Sequence, residues 1–403
     1  MNMRIPFSPP DITEEEIQAV CEVLRSGWIT TGPKTKAFEE KLEEFCGAHR
    51  IVCLSSATSA LELNLRMLGV GEGDEIIVPA YTYTASVSPA VHLGATIKFI
   101  DCMKDTFEMD YDKMEEAINE NTKAVIAVDL GGIVCDYERI YRAVENKKHM
   151  FKPASDIQRA LGRVAVIADS AHALGAERYG KKTGNIADFS SYSFHAVKNL
   201  TTAEGGAITW TSLNGIDDDD IYKKYQMFSL HGQSKDAFEK NTNVGSWEYD
   251  VVGAWYKCNM TDVTAALGLK QLERYPSIME RRRKIIEKYD EACDSLGVFH
   301  LKHYTDEYKS SGHLYITRIP GITGEQRNEI ILEMGKLGVA CNVHYKPLPM
   351  MTAYKEMGFD IADFPNAYNF FINEVTLPLH TKLSDDDVEY VCKCFKEVVQ
   401  KYI

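Results

Sequence analysis

The sequence has ten cysteines but no CxxC pair, which argues against a zinc ribbon or a thioredoxin-type redox motif. The nearest two, Cys392 and Cys394, stand two apart in a helix-like stretch, where such positions do not face each other. Reduced, mostly buried thiols in a cytoplasmic protein are the expectation. No window has the length of a membrane helix, and the start, MNMRIPFSPPDITEEE, has no apolar leader-like run. A soluble chain with no membrane partner is therefore expected. An excess of basic residues is missing too: 45 Lys and Arg face 59 Asp and Glu, for a net charge of −14. That balance argues against general nucleic-acid binding. Internal repeats and low-complexity tracts are also absent.

What is present is a chain of 403 residues, 45% of them hydrophobic. This is enough for a large core and more than one small domain needs. The run RRRK (281–284) reads as the solvated face of a helix. The run DDDD (217–220) reads as an acidic loop, not a metal site, because adjacent carboxylates on a loop seldom converge on one ion. No metal is expected.

Short apolar runs alternate with helical patterns. IVCLSS, DEIIVPA, ATIKFID, KAVIAVDL and RVAVIADSA read as strands, with helices between them. Apolar strands separated by helices imply an α/β fold with a mostly parallel sheet covered on both faces. Sites in such sheets gather at the carboxyl ends of the strands. DFSSYSF and GGAITWTS read as neighbouring strands joined by a loop that carries Lys198. After about Leu272 a long charged helix leads to HLYITRI, a helix over TGEQRNEIILEMGKLG, a strand VACNVHY and a terminal helix. The division expected is an N-terminal arm and large domain over 1–272 and a smaller α+β domain over 273–403.

Four features carry chemistry. In LSSATSALELNL a strand ends and small residues open a helix, so free N–H groups and the positive helix end make an anion cradle or simply an N-cap. In VIADSAHALGA, Asp169 ends an apolar strand. It is either a helix cap or a carboxylate that must find a cation. His172 follows three residues later, near Asp169 around a turn or merely a polar core residue. In PAYTYTAS, Tyr81 and Tyr83 are core aromatics or a stacking surface for a planar ligand. Lys198 is a lone lysine at a glycine-bounded turn. An anion cradle, a strand-end acid, a stacking aromatic and a lysine together suit pyridoxal phosphate, whose phosphate, ring nitrogen, ring face and aldehyde want those four partners.

With these segments in hand, nearly the whole chain resembles the sugar aminotransferases of the DegT/DnrJ/EryC1/StrS family, a branch of the fold-type-I pyridoxal-phosphate enzymes. The resemblance runs from SGWITTGPKTKAFEEKLEEFCG through SSATSALELNL, VPAYTYTAS, DSAHALGA, SFHAVKNLTTAEGG and WYKCNMTD to VHYKPL. It implies that Lys198 holds the cofactor covalently and shuttles the proton. It implies that Asp169 pairs with the ring nitrogen, that His172 lies beside the ring and that Tyr83 stacks on it. The Ala57 and Thr58 amides, the Thr58 hydroxyl and Ser193 would hold the phosphate, and Asn259 would reach the phosphate of the neighbouring subunit in a homodimer. Thr31, Lys257, His313, His344 and Tyr345 would border the sugar pocket. Glutamate would supply the amine and a nucleotide-linked keto-sugar would take it, in amino-sugar biosynthesis for a surface polysaccharide or related glycan.

Two segments depart from the family pattern. MFKPASDIQRALG (150–162) is longer than the usual link and reads as a surface loop or a change at an interface. VDLGGIVCD carries DLGG where the family commonly shows a histidine and one glycine. A second reading is another fold-type-I enzyme acting on amino acids. It would need a small-domain arginine for the substrate carboxylate, and only Arg318 and Arg327 lie beyond the long helix, the latter expected to be solvated. A third reading is a non-enzymatic regulator on the same fold, which would not need Lys198, Asp169 and Ser193 together.

Overall fold

In the computed structural model residues 4–235 and 248–403 are described. The runs IVCLSS, DEIIVPA, ATIKFID, KAVIAVDL and RVAVIADSA each form a strand. In chain order these are β1 (Ile51–Leu54), β2 (Glu75–Pro79), β3 (Thr96–Ile100), β4 (Thr122–Val128) and β5 (Ala165–Asp169). The two-residue strands β6 (Glu177–Arg178) and β7 (Lys181–Lys182) follow, then β8 (Phe189–Ser193) and β9 (Gly206–Trp210). Among the described residues β1 to β5, β8 and β9 form one seven-stranded sheet of order β1-β9-β8-β5-β4-β2-β3. Pairing is parallel from β3 through β8, and β9 runs antiparallel to both its neighbours. The central strands β4 and β5 are buried almost end to end, as a sheet covered on both faces requires.

The carboxyl-terminal part has its own three-stranded antiparallel sheet, β10 (Phe299–His300), β12 (Tyr315–Arg318) and β13 (Glu374–Leu377). β11 (Tyr308–Lys309) joins β6 and β7 instead. The helices Gly324–Lys336 and Asp385–Val399 cover the small sheet with apolar faces that share one core with Tyr289, Tyr315 and Val375. The segment VACNVHY, expected to be a strand, makes only isolated bridges, Val339 to Ile5 and Asn342 to Thr376. It crosses β13 at one residue and does not run along it.

The long helix starts at Asp262, capped by Thr261, and runs unbroken to Asp294, so residue 272 lies inside it. Its RRRK run is only partly solvated. Arg282 is buried and donates to the Gly312 and His313 carbonyls, both at 2.7 Å. The DDDD run is no loop: Asp217 caps the helix Asp218–Ser229 and the other three fill its first turn, where the helix dipole favours negative charge. The segment 150–162 contains the short helix Asp156–Leu161. Ser155 Oγ and Gln158 Nε2 fasten it to the Leu68 carbonyl at 2.7 and 2.9 Å. Arg327 is buried, with Nη1 2.7 Å from the Phe371 carbonyl, and is not the solvated residue its charged helix suggests.

The N-terminal arm crosses the molecule. Ile5 pairs with the Gly338–Ala340 backbone, Pro6 O meets His380 Nε2 at 3.0 Å, Phe7 stacks on His344, and Ser8 Oγ donates to Val197 O at 3.2 Å. The helix Glu14–Ser26 then docks on the long helix through buried Glu16, which accepts from Arg274 Nε at 2.6 Å and Gln271 Nε2 at 2.8 Å.

Candidate active site

A cleft opens at the carboxyl ends of the parallel strands. It is lined by Ala57, Thr82, Tyr83, Ser86, Asp169, His172, Lys198 and Tyr345, among others. Its floor is the start of the helix Ala57–Leu68. Ser56 Oγ accepts from Ser59 N at 3.1 Å and so caps that helix. The Ala57 and Thr58 N–H groups remain outside the helix's own hydrogen bonds, where an anion is favoured. Gly206, at the start of β9, passes so close that an added Cβ would lie 2.3 Å from the Ser56 carbonyl carbon and 2.5 Å from Ala57 N. Gly206, the second of the glycine pair after Lys198, is thus a packing requirement of the cradle.

Asp169 ends β5 and is buried. No helix follows it, so it caps none; its Oδ1 takes the Ala171 N–H at 3.2 Å and its Oδ2 the Ser86 hydroxyl at 2.7 Å. Burial raises its pKa, while these two donors and the Lys198 charge pull the other way. Lys198 lies in the turn between β8 and β9, its N–H bonded to His195 O at 2.9 Å. Burial lowers its pKa to about 8, against the opposing pull of Asp169. Ser193 ends β8, half-buried, and accepts from His195 N at 3.3 Å.

Three histidines ring the cleft, all driven toward the neutral form by burial first and by Lys198 or one another second: His172 and His313 well below the usual value, His344 down to about 3. His172 Nδ1 accepts the Gly131 N–H at 3.2 Å, so its proton sits on Nε2, 3.3 Å from the Tyr345 hydroxyl. His313 packs on His172 with ring centroids 4.3 Å apart, and its Nδ1 meets Asn199 Oδ1 at 2.9 Å. Asn199 gives its own N–H to Ser311 O at 2.8 Å, which fixes Oδ1 as the acceptor. His344 Nδ1 meets Thr376 Oγ1 at 2.9 Å. Tyr83, 58% exposed, leans over the opening with its ring 5.7 Å from that of Tyr345. Tyr81, by contrast, is core, packed on Phe107 and Phe370.

Thr31, Lys257 and Asn259 form a group of their own. Asn259 Nδ2 donates to Thr31 Oγ1 at 2.6 Å, and its Oδ1 accepts from Lys257 Nζ. The group sits beside the end of β1, where Ser55 N donates to Cys258 O at 2.7 Å. Asn259 does not cap the long helix; Thr261 does. Arg318 lies over the Phe370 ring at 3.9 Å and Arg327 over the Phe371 ring at 4.7 Å, and neither lines the cleft. Sequence reasoning passed over Ser86, Asn199 and Gly131. Ser86, at the end of PAYTYTAS, and Gly131, in DLGG, show no role until the fold sets them against Asp169 and His172.

Pyridoxal phosphate suits these residues. A buried carboxylate faces a lysine whose charge is resisted by burial, and a helix start cleared by Gly206 lies below them. Fold and cleft together define a fold-type-I pyridoxal-phosphate enzyme. The model of the DegT/DnrJ/EryC1/StrS aminotransferase family matches residues 10–396, and the chain belongs to that family. A putative sugar aminotransferase from Streptococcus pneumoniae is 56% identical in its PMP form, with TM-score 0.97 over 99% of this chain and 100% of that one. Its PLP form is 55% identical, with TM-score 0.95 over 99% of each. The spore coat polysaccharide biosynthesis protein SpsC of Bacillus subtilis is 35% identical over 99% of this chain and 98% of its own length. A UDP-4-amino-4-deoxy-L-arabinose–oxoglutarate aminotransferase of Shewanella sediminis is 33% identical over 99% of both. The chain is a PLP-dependent sugar aminotransferase.

Proposed function

We propose that the enzyme moves an amino group from glutamate to the keto carbon of a nucleotide-linked sugar, for a surface polysaccharide or related glycan. The observation that carries this reading is a cleft with Lys198 and Asp169 at its base and no small-domain arginine in its lining. An amino-acid specialist would place such an arginine opposite a substrate carboxylate. Here both arginines are spent on packing and backbone carbonyls. The relatives' names, one an aminotransferase of a UDP-linked amino-sugar and one a polysaccharide biosynthesis protein, support the same substrate class.

When bound, the cofactor supplies an aldehyde that captures amines and a ring that takes up the electron pair freed at the substrate carbon. The chain's residues do the rest. Lys198 Nζ, with a pKa near 8, holds and returns the proton between donor or acceptor carbon and cofactor. Asp169, steadied by Ser86 and Ala171, presents a fixed negative charge to the ring N–H. Ala57, Thr58 and Ser193 would hold the phosphate, Tyr83 would pack on the ring, and His172 would lie beside it. Neutral His313 and His344, with Tyr345, offer a sugar hydrogen bonds without repelling or attracting charge. Thr31, Lys257 and Asn259 complete the site of the neighbouring subunit in a homodimer, and Asn259 takes that subunit's phosphate. Ten unpaired cysteines suit a cytoplasmic enzyme.

The test is transfer of label. Enzyme, ¹⁵N-glutamate and a panel of nucleotide-linked keto-sugars are incubated, and the products are weighed by mass spectrometry. One keto-sugar should gain a ¹⁵N amine. Label that passes only to amino-acid keto acids would sink the reading.

A further inference from the structure

Asp129 is fully buried, lies one strand from Asp169, and has no part in the chemistry described so far. It ends the β4 segment and opens the DLGG turn. Its Oδ1 accepts the Cys135 N–H at 2.9 Å and the Tyr137 hydroxyl at 3.1 Å, and its Oδ2 accepts the Ser170 hydroxyl at 2.6 Å. Its own N–H donates to the Asp169 carbonyl at 3.1 Å. One carboxylate therefore ties together both ends of the 129–137 turn and the first residue after Asp169.

Between those ties the turn is bonded on one side to the 311–314 backbone, the Gly131 carbonyl accepting from His313 N at 3.0 Å and the Gly132 carbonyl from Ser311 N at 3.1 Å, and on the other it reaches His172. Its Gly131 N–H meets His172 Nδ1, and its Gly132 lies against Ser311 and the His172 carbonyl. An added Cβ on Gly132 would stand 2.2 Å from Ser311 Oγ and 3.0 Å from His172 O, and its φ of +93° suits glycine alone. The close approach leaves the turn one position in which to serve His172. Without the Gly131 N–H nothing compels the imidazole to keep its proton on Nε2, toward Tyr345.

We propose that Asp129 is a positioning residue: by holding Cys135, Tyr137 and Ser170 at once, it locks the turns after β4 and β5 together and so sets the tautomer and place of His172. This rests on the assignment of the cleft as the cofactor site, but the tautomer it fixes is a property of the chain alone. The role belongs to the pattern of hydrogen bonds. All three partners are donors, and an asparagine can keep the pattern. Its oxygen accepts from Cys135 and Tyr137, and its amide donates to Ser170, whose hydroxyl turns round. Alanine cannot. The environment is consistent with this. Burial lifts the Asp129 pKa to about 7, with Asp169 adding to the rise and Ser170, Cys135 and Tyr137 opposing it, so the side chain is held by donors without help from a cation.

The test compares Asp129→Ala, Asp129→Asn and Ser170→Ala. The ¹⁵N signals of His172 are read in cofactor-free protein, beside kcat and KM of the loaded enzyme and thermal melting. In Asp129→Ala the Nε2–H signals of His172 should give way to a tautomer mixture. Its kcat should fall roughly ten- to a hundredfold, as expected for a displaced active-site group, with KM for glutamate little changed. Asp129→Asn should restore both. If Asp129→Ala does not fold, Ser170→Ala, which removes one tie alone, should still shift the His172 signals the same way. Unchanged His172 signals in the variants that fold, with only the melting temperature lowered, would overturn the proposal. So would an Asp129→Asn protein as poor as the alanine variant, because the charge would then be what acts. Loss of sugar transamination in the label test with the His172 shift intact would count against the substrate reading and leave this one standing.

Discussion

Ser86 Oγ stands 2.7 Å from Asp169 Oδ2 and donates a hydrogen bond to that carboxylate from the turn after β2. The acid is thus held on one oxygen by a side chain 83 residues away, and on the other by the Ala171 N–H. Asp169→Asn should fold, because an amide oxygen can still accept one of these bonds. It should lose roughly a hundredfold or more in kcat, in the range of a lost acid–base partner, since an amide holds no negative charge for the ring N–H. Steady-state kinetics beside a thermal melt check this. Near-normal turnover would return Asp169 to a purely structural role.

Lys198 supplies a pH dependence. Its pKa is lowered from 10.5 to about 8, first by burial, with Asp169 resisting. Only the neutral amine adds to an aldehyde, so capture of pyridoxal phosphate by cofactor-free enzyme should speed up as pH rises through about 8. Borohydride trapping followed by mass spectrometry measures it. In Asp169→Asn the midpoint should move lower, because the charge that favours the ammonium is gone. The sign for stability follows from the same numbers. Between pH 8 and 10.5 the unfolded chain binds more protons, so this group adds stability as pH rises across that window. Lys198→Ala should abolish turnover and trap no cofactor, while non-covalent binding at the cradle persists.

Gly206→Ala places a methyl group against backbone that cannot swing aside, 2.3 Å from the Ser56 carbonyl carbon. The expected cost is about 1–3 kcal/mol of stability, as for other overpacked sites. The shift of the helix start should also weaken cofactor affinity. Urea melts and a cofactor titration read the two effects. Gly71→Ala serves as a control, since its Cβ would meet nothing within 4 Å and its φ is not in the left-handed region.

Shared sites in a homodimer can be tested by mixing. Lys198→Ala and an inactive Asn259→Ala are refolded together. If Asn259 serves the neighbouring subunit, each mixed dimer holds one site with both lesions and one with none, and random pairing restores roughly a quarter of all sites. If it serves its own chain, every site keeps a lesion. No recovery in verified mixed dimers would discard the shared-site arrangement.

What the sequence discloses here follows the distance over which each feature acts. The strands β1 to β5 are legible because an unbroken apolar run between turns has few other uses. Lys198 is legible because β8 and β9 flank it directly. Asp169, His172 and Tyr83 are legible as a set, through the order of their motifs. By contrast β13 is four residues, EVTL, with no flanking pattern, although Thr376 in it holds His344. Arg282 and Arg327 sit in charged helices and read as solvated, since nothing nearby announces the carbonyls of His313 and Phe371 that they meet. Ser86 and Asp129 act across 83 and 41 residues, on Asp169 and Ser170 respectively, a range at which no local pattern speaks.

The path of the N-terminal arm has a consequence for how the enzyme comes into being. Phe7 lies on His344, Pro6 on His380 and Ser8 on Val197, next to Lys198, while Thr376 meets His344 from far along the chain. The walls of the cleft therefore draw on segments hundreds of residues apart in sequence. Closing the cleft thus requires pairings between residues 5–8 and residues 338–380, contacts distant in sequence of the kind that slow folding.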